Sequence, residues 1–550
     1  MRELSEGHRG PLLALVLAFA LVWFGTLEQR RLINPDEGRY AEIPREMVAT
    51  GDWLTPRLNG IKYFEKPPLQ YWATATAYTA FGEHHWTARL WPALAGFVGV
   101  LATAFATAKL FDARTGLVAG AVLAGSVLWN VIGHVNTLDM GVSFFLAAAV
   151  FALCLGQRDD ANPLESRRWQ DGAWVLLALA VLSKGLIGLV LPAATVVVYA
   201  LWQRDWGFVL RIRPWRGLLL LVLITSPWFI AVSLANPEFA RFFFIHEHFE
   251  RFLTKAHGRY QPMWYFIPIL LLGMLPWLGS LAQGLAAGFR PEAGQRFQPR
   301  RFLLVWAVLV FVFFSASSSK LASYILPIFP ALAALIGVHL TGRTASRGVA
   351  WHALPAVLIG GACLLLVPYV SRFANDEVPA ALYAAYQPWL YAGAAALLLG
   401  GLAAFWLGRR GHSLGAVLCL ALGGFSFGQG FLLGHDSLGS VNSAHDVAAA
   451  IRSQVPPDIP FFSVNTYDQS LQFYLKRTTT MVAYRDELGF GIDQEPKKFI
   501  PDLAGFEQAW SAAPLAWALM SPETWTEMSK KGLPMIEVVR DTRRVIARKP

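Results

Sequence analysis

The chain is poor in charge and almost without cysteine. Of its 550 residues only 15% are Asp, Glu, Lys or Arg, and three are Cys, whereas soluble domains carry about 25% charged residues. That deficit, with 55% hydrophobic residues and a mean hydropathy of +0.41, excludes a soluble globular protein and points to a polytopic membrane protein. Cys154, Cys363 and Cys419 each sit inside an apolar run, with neither paired nor metal-ligand spacing. They read as packing residues and leave the redox compartment open. No Gly-rich phosphate loop is present, so P-loop and nicotinamide chemistry are unsupported. Internal repeats and low-complexity tracts are also lacking. The first apolar run, residues 11–27, has no small-residue cleavage site and reads as a retained helix.

What is present is apolar sequence in long runs. Taking roughly 20 residues per crossing, the chain predicts about thirteen transmembrane helices. The net charge of +10 does not indicate nucleic acid, because the arginines fall between apolar runs, where they mark topology and contact with anionic lipid. Alternate loops are Arg-rich, among them the one holding Arg204, Arg211, Arg213 and Arg216. That side is predicted to be cytoplasmic, and an odd helix count puts the C-terminus outside. From residue 434 onward, helix-like and strand-like runs alternate. The predicted architecture is therefore a transmembrane domain over residues 1–433, with interfacial helices in its first outer loop (29–86), and a small α/β domain outside the membrane over residues 434–550.

The organising stretch is residues 34–70, NPDEGRYAEIPREMVATGDWLTPRLNGIKYFEKPPLQ. So many charges held between membrane segments suggest an interfacial site, against the plainer reading of a solvated loop. The stretch opens with Asp36 and Glu37 just beyond the first helix and closes with Glu65-Lys66-Pro67-Pro68. The amphipathic run 69–81 that follows is too short to span and predicts a helix lying in the interface. Three further outer segments hold unusual polar residues. In His134-Val135-Asn136-Thr137-Leu138-Asp139, the acid is either a helix N-terminal charge or a second catalytic carboxylate. In the segment around His246, His248 and Arg251, the two histidines at i and i+2, with Glu65, form a candidate ligand set for a divalent ion such as Zn, Mg or Mn, while Arg251 has the plain reading of a surface ion pair. The fourth segment, SASSSKLASY, places Lys320 and Tyr324 at a helix mouth, where a snorkelling lysine is the ordinary reading. Acids and bases converging on the outer face suit transfer of a sugar from a lipid phosphate. Cations hold the departing phosphate, and a carboxylate orients the attacking oxygen or answers the positive charge on the ring.

NPDEGRYAEIPREM followed by GDWLTPRLNGIKYFEKPPLQYW resembles the GT-C membrane glycosyltransferases that use polyprenyl-phosphate sugars, and within them the lipid A aminoarabinose transferases; HEHFERFLT and SSSKLASYILP add to the match. The resemblance implies an undecaprenyl-phosphate aminoarabinose donor, a lipid A phosphate acceptor, polymyxin resistance as the outcome, and residence in the bacterial inner membrane as a monomer. Carried onto matching positions, it makes Asp36 the first-loop acid and Asp139 the second. Lys66 and Arg251 would hold the donor phosphate with Lys320 or Tyr324 nearby, and Glu65, His246 and His248 would be the metal set. Protein O-mannosyltransferases are the enzymatic alternative. A lipid transporter gripping a head group is the non-enzymatic one, although the two related halves common in transporters are not visible.

Overall fold

The computed structural model describes residues 9–250, 261–342 and 348–550. Among these, eight helices are long and apolar enough to cross a membrane, or ten when two pairs bent by 66° and 113° each count as one span. Leu13–Phe24 and Ile187–Gln203 are shorter apolar helices. The count of about thirteen at roughly 20 residues each also includes the stretch near Leu179. That stretch lies in a helix, Pro163–Lys184, whose first half carries Glu165, Arg167, Arg168 and Asp171.

In chain order, α1 (Arg9–Phe24) leads into the first loop, which contains α2 (Asp36–Thr50) and α3 (Leu69–Phe81). The bundle continues with α4 (His85–Leu110), α5 (Ala113–Gly125), α6 (Val127–Gly133), α7 (Leu138–Gln157), α8 (Pro163–Lys184) and α9 (Ile187–Gln203). Of the spans, α7 is the most enclosed: 89% of its apolar window is buried, against 22% for Pro214–Ala235. Its first turn carries Asp139. The adjacent Leu138 packs in one apolar cluster with Tyr40 and Tyr71 of the first loop and Tyr467 and Met481 of the C-terminal domain. The acid is thus held where bundle, loop and domain meet.

The first loop is not a solvated connection. Glu37, Glu42, Arg45 and Glu46 of α2 are all buried, and carboxylates taken from water need partners. Glu42 accepts from Arg45 Nε and Nη2 at 2.6 and 2.7 Å, and Glu46 accepts from the Gly60 N–H at 2.8 Å. Gly60 belongs to the turn of a hairpin, β1 (Arg57–Leu58) with β2 (Ile61–Lys62). Asn59-Gly60 has φ of 56° and 73°, the left-handed backbone that an Asn-Gly hairpin turn supplies. The run predicted to be helical is a helix, α3, with the same limits, Leu69–Phe81.

Six strands, β3 (Phe461–Val464), β4 (Thr480–Val482), β5 (Phe499–Ile500), β6 (Trp517–Met520), β7 (Ile536–Arg540) and β8 (Val545–Arg548), form one sheet in the order β5-β4-β3-β6-β8-β7. It is parallel from β5 to β6, with β8 antiparallel to both its neighbours. The central strands β3 and β6 are buried along their whole length, as parallel strands covered on both faces are. Phe506, Trp510 and Met528 cover one face, and Val447, Ile451 and Leu471 the other.

Glu46 gives this loop a pH dependence. Burial first, and then the neighbouring Glu42 carboxylate, push its carboxyl up from 4.5 to about 8. A carboxyl raised on folding binds a proton in the native state that the unfolded chain has already released. Its contribution to stability is therefore full below about pH 4.5 and is lost as pH rises to about 8. Thermal melts in detergent should show a melting temperature that declines from about pH 5 to about 8 and then levels. In Glu46→Gln the decline should flatten, and an unchanged pH profile in that variant would contradict the assignment.

Candidate active site

Successive residues of a helix point about 100° apart, so the acidic pair at the start of α2 divides. Asp36 is 37% exposed and lines a cavity, whereas Glu37 is fully buried. Glu37 accepts from Arg89 Nε and Nη2 at 2.7 and 2.8 Å, from the Asn136 N–H at 3.0 Å and from the Ile33 N–H at 3.2 Å, with Arg30 Nη2 at 3.5 Å. Burial alone would raise its carboxyl, but Arg89 and Arg30 hold it down to about 2. Glu37 is thus a permanent charge that ties α2 to α4, to the end of α1 and to the turn before α7. Arg89 is missed from sequence, where it reads as one cation near the start of an apolar helix.

Asp139 lines the same cavity as Asp36. Its Oδ1 accepts from Lys184 Nζ and its Oδ2 from Ser323 Oγ at 2.7 Å. Lys184 Nζ also lies 4.5 Å above the Tyr324 ring, an attractive cation–π placement. In the sequence Lys184 stands in Ser183-Lys184-Gly185, which reads as a tight turn, and is one of the outer-side charges that break the positive-inside trend; Gly185, with φ 84°, ends α8. The available signal was that Lys184 is a single cation in an otherwise Arg-poor connection. That it meets an acid 45 residues earlier is a product of the fold.

Between these groups lies a cavity of about 410 Å³. Its charged lining is Asp36, Arg39, Glu65, Lys66, Asp139 and Lys184. Along α7 the lining residues are Leu138, Asp139, Val142, Ser143 and Leu146, one stripe at helical spacing that runs about 10 Å into the bundle. Ile187, Leu191, Phe313, Phe314 and Pro327 continue the apolar part. The cavity is therefore charged at the end near the first loop and apolar toward the interior.

The remaining candidates fall as follows. Lys66 lines the cavity beside Glu65, with its Nζ 3.8 Å from Glu65 Oε2 and donating to the Glu65 carbonyl at 2.8 Å. Tyr324 lines it too. Lys320 does not; it is 4% exposed and donates to the carbonyls of Gln261, at 2.8 Å, and Ser317. His246 lies in the π-helical stretch Arg241–Glu250, its ring 5.2 Å from that of Phe242. The His248 side chain and all of Arg251 lie outside the described residues. Among the described residues, no group of three or more His, Cys, Asp or Glu side chains converges to hold a metal ion.

A cavity with charges at one end and apolar walls beyond suits a ligand with an ionic head and an apolar chain, and known proteins give the chain a class. Residues 11–243 match the family described as dolichyl-phosphate-mannose-protein mannosyltransferase, and with the fold this defines a membrane glycosyltransferase of the GT-C class. Residues 447–549 match the aminoarabinose transferase C-terminal domain. A crystal structure of ArnT from Cupriavidus metallidurans bound to undecaprenyl phosphate superposes with a TM-score of 0.94 at 39% identity, over 98% of both chains. The undecaprenyl phosphate-alpha-4-amino-4-deoxy-L-arabinose arabinosyl transferase 1 of Sodalis glossinidius is 35% identical over 394 residues, 66% of this chain and 67% of its own. The corresponding transferase of Erwinia tasmaniensis is 32% identical over 403 residues, 70% of this chain and 71% of its own. The chain belongs to this family of aminoarabinose transferases.

Proposed function

We propose that the protein moves 4-amino-4-deoxy-L-arabinose from undecaprenyl phosphate to a phosphate of lipid A. In this reading it acts at the periplasmic face of the bacterial inner membrane, with residues 434–550 in the periplasm, and confers resistance to polymyxin. The carrying observation is the cavity that is charged at the first loop and apolar along α7. The prenyl chain lies against Leu146, Leu191 and Phe314, and Lys66 holds the donor phosphate, with Arg251 as its second cation. An oxygen of the acceptor phosphate attacks the anomeric carbon, and the bond from that carbon to the undecaprenyl-phosphate oxygen breaks. The leaving phosphate takes the electron pair while cations receive its growing charge. Positive charge developing on the ring faces Asp36. A lipid A phosphate is ionised at neutral pH, so Asp36 orients and stabilises rather than removing a proton. Asp139, tied to Lys184 and Ser323, keeps the Lys184 cation near the same end.

The test is mass spectrometry of lipid A from a transferase-deficient host expressing the chain. A pentosamine mass on lipid A is expected, together with polymyxin resistance. Glycosylated secreted proteins beside unmodified lipid A would favour the O-mannosyltransferase reading instead. In the same host Lys66→Ala should give little modification, because losing one of two cations on a desolvated phosphate costs at least about 2 kcal/mol, more than about tenfold in donor affinity.

A further inference from the structure

The helix that carries Asp36 is seated by the C-terminal domain as well as by the bundle. Asn34 Nδ2 donates to Asp468 Oδ2 at 2.7 Å, and the Asn34 N–H to the Asn442 carbonyl at 2.8 Å. Gly38 meets the domain backbone to backbone: a Cβ there would lie 2.7 Å from the Gln469 carbonyl carbon and from the Ser470 nitrogen. The next residue, Arg39, is 6% exposed and reaches both ways. Its Nη1 is 3.4 Å from Asp36 Oδ1, while Nη2 donates to Glu487 Oε2. Glu487 is held in turn by Gln469, whose Nε2 donates to Oε1 at 2.8 Å.

Two carboxylates therefore compete for one guanidinium, and the contact to Glu487 is the closer one. A guanidinium matched by one carboxylate has less to offer a second, and in a site drawn out of water the difference is large. We propose that Glu487 is a positioning residue for the transfer reaction. By engaging Arg39 from the C-terminal domain, it keeps Arg39 from closing on Asp36 and so leaves the Asp36 carboxylate free to face the sugar. This rests on the role given to Asp36 under the proposed function. Without the negative charge of Glu487, Arg39 turns to Asp36 as a full ion pair, and the carboxylate is neutralised just where the reaction needs it.

The full-length protein in detergent or nanodiscs, with purified donor and lipid A, provides the test. Glu487→Gln keeps size and hydrogen bonding but removes the charge. It should lower kcat about 10- to 100-fold while KM for the donor, undecaprenyl-phosphate affinity and melting temperature stay near wild type. Glu487→Asp, which keeps the charge, should restore part of the rate. In an Arg39→Gln background, Glu487→Gln should have no further effect, since the guanidinium it restrains is gone. Wild-type turnover in folded Glu487→Gln overturns the inference, as do additive losses in the double variant. A joint fall in donor binding, melting temperature and kcat also overturns it, because that marks a purely structural contact. Should Glu487→Gln not fold, Gln469→Leu, which only loosens Glu487, must show the same kcat-selective loss on a smaller scale, and no loss there overturns the inference. Asp36→Asn in the same assay separates the two readings. If that variant is active, the assignment of Asp36 fails along with the inference. If it is inactive while Glu487→Gln is normal, only the inference fails.

Discussion

Asp36→Asn is expected to lower turnover by about 10² or more, the scale for losing a positioned electrostatic group, while leaving the fold and donor binding intact. The substitution keeps the shape of the side chain, and Asp36 is the one acid of α2 that is not buried. It is 37% exposed, and its neighbour Arg39 is already paired with Glu487. Its backbone follows Pro35, which fixes φ, and Asn34 is tied to Asp468, so the carboxylate starts from a held position. Asp139→Asn should fall less steeply. That acid is engaged by Lys184 and Ser323 and sits in the first turn of α7, where the helix N-terminus supplies part of the local field. Single-turnover measurements on purified, donor-binding Asp36→Asn decide the matter; near-normal rates would move the chemistry toward Asp139.

The features legible in the sequence are those encoded locally. The run 69–81 reads as one helix and is one, because the prolines before it set its start. In the C-terminal domain five strand-like runs, beginning near residues 460, 479, 515, 535 and 544, correspond to β3, β4, β6, β7 and β8, because β-branched and aromatic clusters bounded by turns suffice to mark strands. The two-residue β5 is too short to carry a pattern. The helix Pro522–Lys530 went unread although Ser521 caps it and Pro522 opens it, a start signal present in the sequence.

Other features depend on contacts between distant parts of the chain and leave no local trace. Asp36 and Glu37 look equivalent in sequence, and only the fold turns one toward a cavity and buries the other against Arg89, 52 residues away. Lys184 and Asp139, and Arg39 and Glu487, are likewise joined across long separations. Nothing in the periodicity of either partner names the other, since a buried charge is recognised by what surrounds it rather than by its neighbours in the chain. In the sequence the charges of residues 34–70 point to an interfacial site by their number alone. The structure divides them into a few that face the cavity and several that hold α2 together from within.

Arg89→Met should be the most damaging single change to folding. Arg89 is 1% exposed, and its guanidinium donates to both oxygens of Glu37 and to the carbonyls of Leu27, Arg30 and Arg31 at 2.7 to 2.9 Å. One side chain thereby closes the end of α1, anchors the start of α2 and fixes both to α4. Methionine matches the length of the stem but leaves Glu37 ionised and buried, with only Arg30, at 3.5 Å, as a cation. Breaking a buried pair from one side costs about 3 to 5 kcal/mol, because the remaining charge is uncompensated. The three carbonyls add to that loss. The variant should appear as low yield of monodisperse protein and a melting temperature many degrees below wild type. A paired change, Arg89→Met with Glu37→Leu, should recover part of the stability by removing the stranded charge, since replacing both partners of a buried pair is far less costly than removing one. If Arg89→Met alone is as stable as wild type, the charge at Glu37 is not held by Arg89, and the anchoring of α2 has to be sought in its contacts with Asp468 and Glu487.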